Sequence, residues 1–477
     1  MSGIVGVVSG EDCKDDIFYM TDYHSHLGTK FGGLVLSDDE KLVEPRIHSI
    51  ETAPFRTKFI EDRKFREMHG NKAIGVISDC DAQPLVMGLK FGQYALCGAG
   101  FVDNCGELSE KLRSQGVVFS HTSERGEINQ IELVGNLINQ GADLEDGVDF
   151  MFNQIRGSMS LLLLGKEGLY AVRDKYGRTP LALARRKRGS ARCVVSETCS
   201  FKNLEFAIER FLGPGEMILL TEGKEQQIKS SGLASQLCTF LYVYTGNPAA
   251  EYHGVSVKDF RLRSGRVMAK RDKKEGISGH YVAGIPDSGS DYAKGHSNES
   301  HTALEEPIVK YTATWQRSYM PPDQKTRDEI ALYKLIIIDS LIRGRVGILT
   351  EDSIVRGTQL RKLLKNKVLP ANPKEIHMRP ACPPLLFNCP YLLSTRTLDE
   401  LFARRVIKSV TGEDLRDVEP YLDQNSREFR RFLDAATRKL GVTTLRYQEL
   451  GDMIRETRQP ENSLCTSCWT GRAIPSN

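Results

Sequence analysis

The chain has 477 residues, 65 of them basic and 62 acidic, for a net charge of +3 with histidine neutral. That length exceeds a single hydrophobic core, so at least two domains are expected, and the near balance of charge excludes a global field for nucleic acid or an anionic membrane. No apolar run approaches the ~18 residues of a membrane span, the start Met1 to Val8 lacks a charged region ahead of a long apolar one, and eleven cysteines without a secretion signal argue against a disulfide framework, so a soluble, cytoplasmic protein is expected.

Residues 1–235 are rich in short β-type runs, among them Gly3 to Val8, Ala73 to Ile77 and Ser158 to Leu164. Between them, Ile128, Ile131, Val134, Leu137 and Ile138 recur at helical intervals, which predicts a helix over Glu127 to Asn139 capped from Ser120 to Ser123. Strand runs with few helices between them predict an α+β sandwich. The basic run Arg185 to Arg188 lies between two apolar segments without interleaved aromatics, so it reads as a solvated hairpin tip and not as a nucleic-acid contact. The polar stretch Gly223 to Gln227, with Ser230 to Gly232, reads as an interdomain crossing.

A second domain begins there. His280 to Ile285 is strand-like and runs into Pro286-Asp287-Ser288-Gly289 and a helix-compatible stretch. The stretch Arg345 to Gln359 repeats that order. Its short apolar run ends on Glu351 and Asp352, breaks into a small-residue turn, and leads to Leu360, Leu363 and Leu364 at helical spacing. Two strand-loop-helix units predict a parallel α/β sheet. Free first-turn amides and the helix dipole suit a phosphate, while carboxylates at a strand's C-terminal end can accept hydrogen bonds from sugar hydroxyls. Phosphate plus polyol means a ribose phosphate. After Thr397, Leu398, Leu401, Phe402, Val406 and Ile407 fall at helical spacing, and Arg431 to Lys439 continues in that manner, as a covering layer.

The segment Glu351-Asp352-Ser353-Ile354-Val355-Arg356-Gly357-Thr358 closely resembles the signature of type I phosphoribosyltransferases, and most closely that of the amidophosphoribosyltransferase family, with Glu-Asp where Asp-Asp is usual. Pro286 to Gly289 resembles that family's pyrophosphate-side loop, and Arg317 to Pro322 its Arg-Thr-Phe-x-x-Pro catalytic loop. Residues 1–235 resemble the family's N-terminal nucleophile (Ntn) glutaminase domain through Ser2 to Gly6, Arg173 to Leu181, Ser196 to Cys199 and Gly213 to Glu216. The implied architecture is an Ntn-hydrolase-type αββα sandwich over 1–235, a type I phosphoribosyltransferase parallel sheet over 236–395, and a helical layer over 396–477.

The implied substrate is 5-phosphoribosyl 1-pyrophosphate. Ser353, Ile354, Val355, Arg356, Gly357 and Thr358 would hold its 5-phosphate, Glu351 and Asp352 its ribose hydroxyls, and Arg317 would stabilise the departing charge. Ser288, Glu351 and Asp352 would lie at a magnesium ion held mostly through substrate oxygens. The family's nucleophile is an N-terminal Cys, and its position is occupied here by Ser2. The family's glutamine-binding Arg falls within Ile77 to Asp79, its Asn-Gly oxyanion pair near Gly98-Ala99, and its gripping Asp near Arg125, so glutaminase activity is expected to be weak or absent.

Cys465 and Cys468 form a CxxC too late in the chain for a thioredoxin-type site, and a metal is the reading their spacing favours. Cys238 and Cys389 stand in segments resembling those of the family's [4Fe-4S] subset. Four thiolates suit that cluster and equally suit structural zinc, and the resemblance favours iron–sulfur. Cys382 is a competing ligand without a counterpart, while Cys13, Cys80, Cys97, Cys105, Cys193 and Cys199 read as buried small residues. The resemblance further implies nucleotide effectors and a homo-oligomer, with neither nucleic acid nor membrane as partner. The expected reaction is transfer of ammonia, from glutamine or free, to C1 of phosphoribosyl pyrophosphate in purine biosynthesis. A non-catalytic paralogue that binds the same substrate or nucleotides is the rival.

Overall fold

The computed structural model describes residues 2–38, 42, 44–122, 126–232, 234–311, 333–391, 395 and 397–472. They form two compact units, one of 1–238, 249–253 and 390–394, the other of 239–248, 254–389 and 395–477. Among the described residues no helix is long and apolar enough to cross a membrane.

The first unit holds two antiparallel sheets. One orders its strands as Phe206–Phe211, Ala182–Arg186, Arg192–Val195, Gly3–Val8, Lys72–Ser78, Phe31–Ser37 and Arg46–Ser49. The other runs Lys224–Lys229, Met217–Thr221, Leu169–Val172, Gly157–Leu164, Gly92–Val102 and Leu85–Leu89. Ile4, Val35, Ile74 and Val76 of the first sheet share one core with Ala95, Cys97, Leu162 and Leu164 of the second. The outer faces are covered too. Ile17, Phe18, Phe55 and Phe59 from helices pack on one, Ile131, Val134, Val148 and Met151 on the other. Strands apolar on both faces demand this αββα layering, because either face left bare would expose a large apolar area.

Three expectations change in detail. The helix read from Glu127 spans Gln130–Ile138 and is capped by Asn129, whose side chain accepts the Ile131 N–H. Ile128 instead pairs with Thr122 as an isolated bridge, so apolar spacing ran past the true cap. The polar stretch from Gly223 is strand at its start: Lys224–Lys229 is an exposed edge strand, where polar residues protect against edge pairing, and the first unit runs on to Cys238. Of the six cysteines read as buried, Cys13, Cys97 and Cys193 are, whereas Cys80, Cys105 and Cys199 are half-buried. The basic run does sit at a turn, between Ala182–Arg186 and its antiparallel partner Arg192–Val195.

The second unit is built on a parallel sheet ordered Tyr281–Gly284, Val346–Glu351, Glu375–Pro380 and Thr444–Leu445. Helices Val257–Lys274 and Ser290–Ser300 pack so closely that a Cβ on Gly265 would lie 2.1 Å from the Tyr292 carbonyl oxygen, and one on Gly295 2.0 Å from that of Leu262. Glycine is the residue that permits this approach. Helices Phe402–Thr411 and Arg427–Leu440 add Phe402, Val406, Phe429 and Phe432 to the same core that holds Leu349 and Met378.

Candidate functional site

Val346–Glu351 is an inner strand, hydrogen-bonded on both sides, so its C-terminal end is a fixed point. The Ala381 N–H donates to the Glu351 carbonyl at 2.8 Å, and Ile285 N–H to that of Thr350 at 3.0 Å. Thr350 Oγ1 donates to the Gly289 carbonyl at 2.8 Å, drawing the Ser288 loop against the strand end. A Cβ on Gly289 would lie 2.4 Å from the Thr350 carbonyl oxygen, so the approach requires glycine.

Ser288, Glu351 and Asp352, from two segments more than sixty positions apart, therefore meet. Ser288 Oγ lies 3.0 Å from Asp352 Oδ1 and 3.2 Å from Glu351 Oε1, and its one proton serves either. The Asp352 N–H donates to Glu351 Oε1 at 3.2 Å, and Ser353 Oγ to Asp352 Oδ2 at 2.9 Å. Asp352 is 5% exposed. Desolvation, reinforced by the Asp352 carboxylate alongside, pushes the Glu351 carboxyl well above the usual range. Hydroxyl donors or a divalent ion would relieve this crowding of carboxylates.

The loop after the pair owes its shape to a distant segment. Phe402 N–H donates to the Val355 carbonyl at 2.8 Å and Arg405 Nη2 to that of Arg356 at 2.5 Å. Arg356 pairs through Nε and Nη2 with Glu400 Oε2 at 3.0 and 2.5 Å. Gly357 is left-handed, with φ +65°, and a Cβ there would lie 2.6 Å from the Phe402 ring. Ile354 is buried, while Arg356 and Thr358 are exposed at the start of the helix Thr358–Leu363. Sequence reading missed one basic group at this edge. Lys310 pairs with Asp287, the residue before Ser288; an isolated lysine in a short strand gave no signal. Arg317, like Arg125, lies outside the described residues.

A groove of about 490 Å³ lined by Gly276 to His280, Val346, Lys374, Glu375 and His377 lies at the strands' opposite, N-terminal end, away from these carboxylates. Open α/β sheets bind ligands at the other end.

In the second unit, Cys468 accepts through its carbonyl from the Leu386 and Phe387 N–H groups at 3.1 Å, and Cys465 from Thr239 Oγ1 at 2.9 Å. Trp469 stacks on Phe240, centroids 5.3 Å apart, and donates Nε1–H to the Pro383 carbonyl at 3.2 Å. The CxxC thus adjoins the backbone leading to Cys389 and the residue following Cys238. All four thiols are half-buried, and Cys382 is buried with its thiol pushed up by desolvation. Among the described residues, no three His, Cys, Asp or Glu side chains are grouped so as to hold a metal ion.

In the first unit Ser2 is buried at the mouth of the strand Gly3–Val8. Register pairs Gly3 with Ile77, so Ser78 is the next residue across. No arginine stands within Ile77 to Asp79; Ser78 Oγ instead faces the amide of Gln83. Beside the same strand, buried Glu197 meets His26 and accepts from Tyr252 Oη at 2.6 Å. His24 faces the Met20 carbonyl at 2.7 Å and accepts the Glu197 N–H at 3.1 Å, and burial brings its pKa down to about 4, so it is neutral.

The profile of the glutamine amidotransferase domain family matches residues 69–203. The chain is 27% identical to an amidophosphoribosyltransferase of Methanocaldococcus jannaschii over 99% of its own length and 97% of the relative's. Against that of Archaeoglobus fulgidus the figures are 28%, 84% and 87%. Its fold is similar to the Bacillus subtilis glutamine phosphoribosylpyrophosphate amidotransferase complexed with ADP and GMP, with a TM-score of 0.82, 23% identity, and coverage of 98% of this chain and 96% of that one.

Proposed function

The chain belongs to the amidophosphoribosyltransferase family, and from that premise we propose that it transfers ammonia to C1 of 5-phosphoribosyl 1-pyrophosphate, giving phosphoribosylamine and pyrophosphate for purine biosynthesis. The observation that carries this reading is the convergence of Ser288, Glu351 and Asp352 at one strand end beside the loop 353–358. Asp352 and Glu351 would grip the ribose hydroxyls, and the Ser353 to Thr358 loop the 5-phosphate. Lys310, released from Asp287, would face the pyrophosphate. Ammonia would attack C1 as the bond to pyrophosphate breaks; pyrophosphate leaves with the electron pair, and the new ammonium loses a proton to solvent. Developing oxocarbenium character makes exclusion of water necessary, and Arg317 remains the proposed stabiliser of departing charge.

Hydroxyl and carboxylate oxygens are the hard donors magnesium prefers, so Ser288, Glu351 and Asp352 fit a site completed by substrate oxygens. When bound, the ion would neutralise pyrophosphate charge. Free ammonia is the proposed donor, because Ser2 replaces a thiol and no arginine stands within Ile77 to Asp79. With magnesium and substrate, pyrophosphate release is expected with ammonium and absent with glutamine. Release with neither would overturn the catalytic reading, and equal release with both would overturn the donor assignment.

We further propose that Cys238, Cys389, Cys465 and Cys468 hold a structural [4Fe-4S] cluster; thiol chemistry and the backbone bonds around Cys465 and Cys468 support it. Anaerobically purified protein should contain about four iron and four sulfide per chain, and Cys465→Ser should lower both. A zinc-loaded, colourless protein would refute the assignment. Nucleotide control and a cytoplasmic homo-oligomer belong to the same reading; the ADP and GMP of the similar Bacillus subtilis structure support nucleotide effectors.

A further inference from the structure

Gln83 is 2% exposed, and its carboxamide uses each of its hydrogen-bonding groups. The Gly98 N–H donates to Gln83 Oε1 at 2.8 Å; Gln83 Nε2 donates to the Gly98 carbonyl at 3.2 Å and to Ser78 Oγ at 3.3 Å. This two-point pairing with the N–H and carbonyl of one residue, plus a hydroxyl for the second N–H, is how a protein would grip a small primary amide. The arrangement requires glycine opposite: a Cβ on Gly33 would lie 2.0 Å from the Gln83 carbonyl oxygen.

Its position relative to Ser2 follows from register. Gly3 pairs with Ile77 in an antiparallel ladder, so Ser2 and Ser78 are directly opposed and direct their side chains to the same face. On that face Ser78 meets Gln83, and Gln83 meets Gly98 of the second sheet. The strand Leu85–Leu89 ends its pairing at Leu85 with Leu96, so Gly98 has no strand on that side, and its free peptide edge is available to an amide.

We propose that the space between the two sheets beside Ser2 is a primary-carboxamide site occupied by the chain's own Gln83, and that this side chain excludes external glutamine. The inference deepens the donor reading above and rests on it for its functional meaning. It supplies a positive physical cause for the exclusion, separate from the missing thiol: an incoming amide must displace an intramolecular one that has no translational entropy to lose.

Gln83→Ala should lower the melting temperature by roughly 3–8 °C, through an unsatisfied Gly98 peptide and a cavity. Acetamide, whose four heavy atoms replace the deleted Cγ, Cδ, Oε1 and Nε2, should raise it again in the variant and leave the parent protein unmoved, whereas acetate should do neither. If acetamide has no effect, or acetate matches it, there is no amide site. Access to residue 2 is read by chloroacetamide alkylation in Ser2→Cys, followed by peptide mass spectrometry. Adding Gln83→Ala should speed it at least ~10-fold, the factor that 1.4 kcal/mol of relieved occlusion gives; equal rates would show that Gln83 blocks nothing. Should the alanine variant fail to fold, Gln83→Glu keeps the shape but donates only when protonated, so its melting temperature should rise as pH falls, and a pH-independent value would overturn the proposal. Ammonium-dependent pyrophosphate release by the unaltered protein tests the donor reading separately, since its absence would leave these amide outcomes intact.

Discussion

Glu351→Gln is expected to lower kcat/KM for phosphoribosyl pyrophosphate by about 10²–10³-fold while raising the temperature of unfolding. On the proposed function the loss follows from the charge-assisted hydrogen bonds Glu351 would make to ribose hydroxyls and from the cation that would offset the pair; each such bond contributes about 1.5–3 kcal/mol, and 1.4 kcal/mol is tenfold in rate. The gain has the opposite origin. Desolvation and the Asp352 carboxylate raise the Glu351 carboxyl in the folded protein. A group so raised favours the folded state only when protonated, and its contribution declines as pH climbs from the unfolded value, about 4.3, toward the folded one. At neutral pH the crowded pair is therefore a source of strain that the amide relieves. Steady-state kinetics and calorimetry on the same sample check both halves. Unchanged kcat/KM would remove Glu351 from the site, and a lowered unfolding temperature would refute the account of crowding.

The second large effect is structural. Arg379 Nε reaches Asp272 Oδ1 and Oδ2 at 2.7 and 2.8 Å, while His296 meets Asp272 Oδ2 at 3.0 Å, all three residues being buried. Arg379→Met should cost about 3–5 kcal/mol, because it strands a buried carboxylate. That is a large part of a total stability of about 5–15 kcal/mol. Burial works to raise Asp272, but His296 and Arg379 hold it below its ordinary value. Its contribution is therefore present above the unfolded pKa, about 3.9, and is lost as pH falls through the folded value. The penalty of Arg379→Met should accordingly shrink as pH falls, because desolvation without Arg379 lets Asp272 take a proton at a higher pH than the paired carboxylate does. Urea denaturation at two pH values measures it; a loss under about 1 kcal/mol at neutral pH would show the pair to be dispensable.

The layers and the carboxylate site were legible because their signals are local. A strand apolar on both faces, such as Ser158 to Leu164, announces its burial, and the Glu351 to Thr358 segment carries strand end, acids and turn within eight residues. Contacts between segments far apart in sequence left less trace. Nothing in Gln83 alone foretells its pairing with Gly98, since a buried glutamine needs a partner but does not name it. Lys310 and Asp287 are each ordinary surface residues until the fold brings the end of the strand Ile308–Lys310 to the loop that follows Tyr281–Gly284. The late start of the helix at Gln130 reflects a competing bridge at Ile128, which periodicity cannot register.

The pinning of the 353–358 loop bears on how the protein is made. Every residue of the signature has been synthesised by Thr358, yet the loop's shape depends on Glu400, Phe402 and Arg405, more than forty positions later. Such closure over a long stretch of chain comes late in folding. A nascent chain stopped short of Leu401 would carry all eight residues from Glu351 to Thr358 without the contacts that shape their loop, so a ligand proposed for that loop would gain its site only after the C-terminal helices have docked.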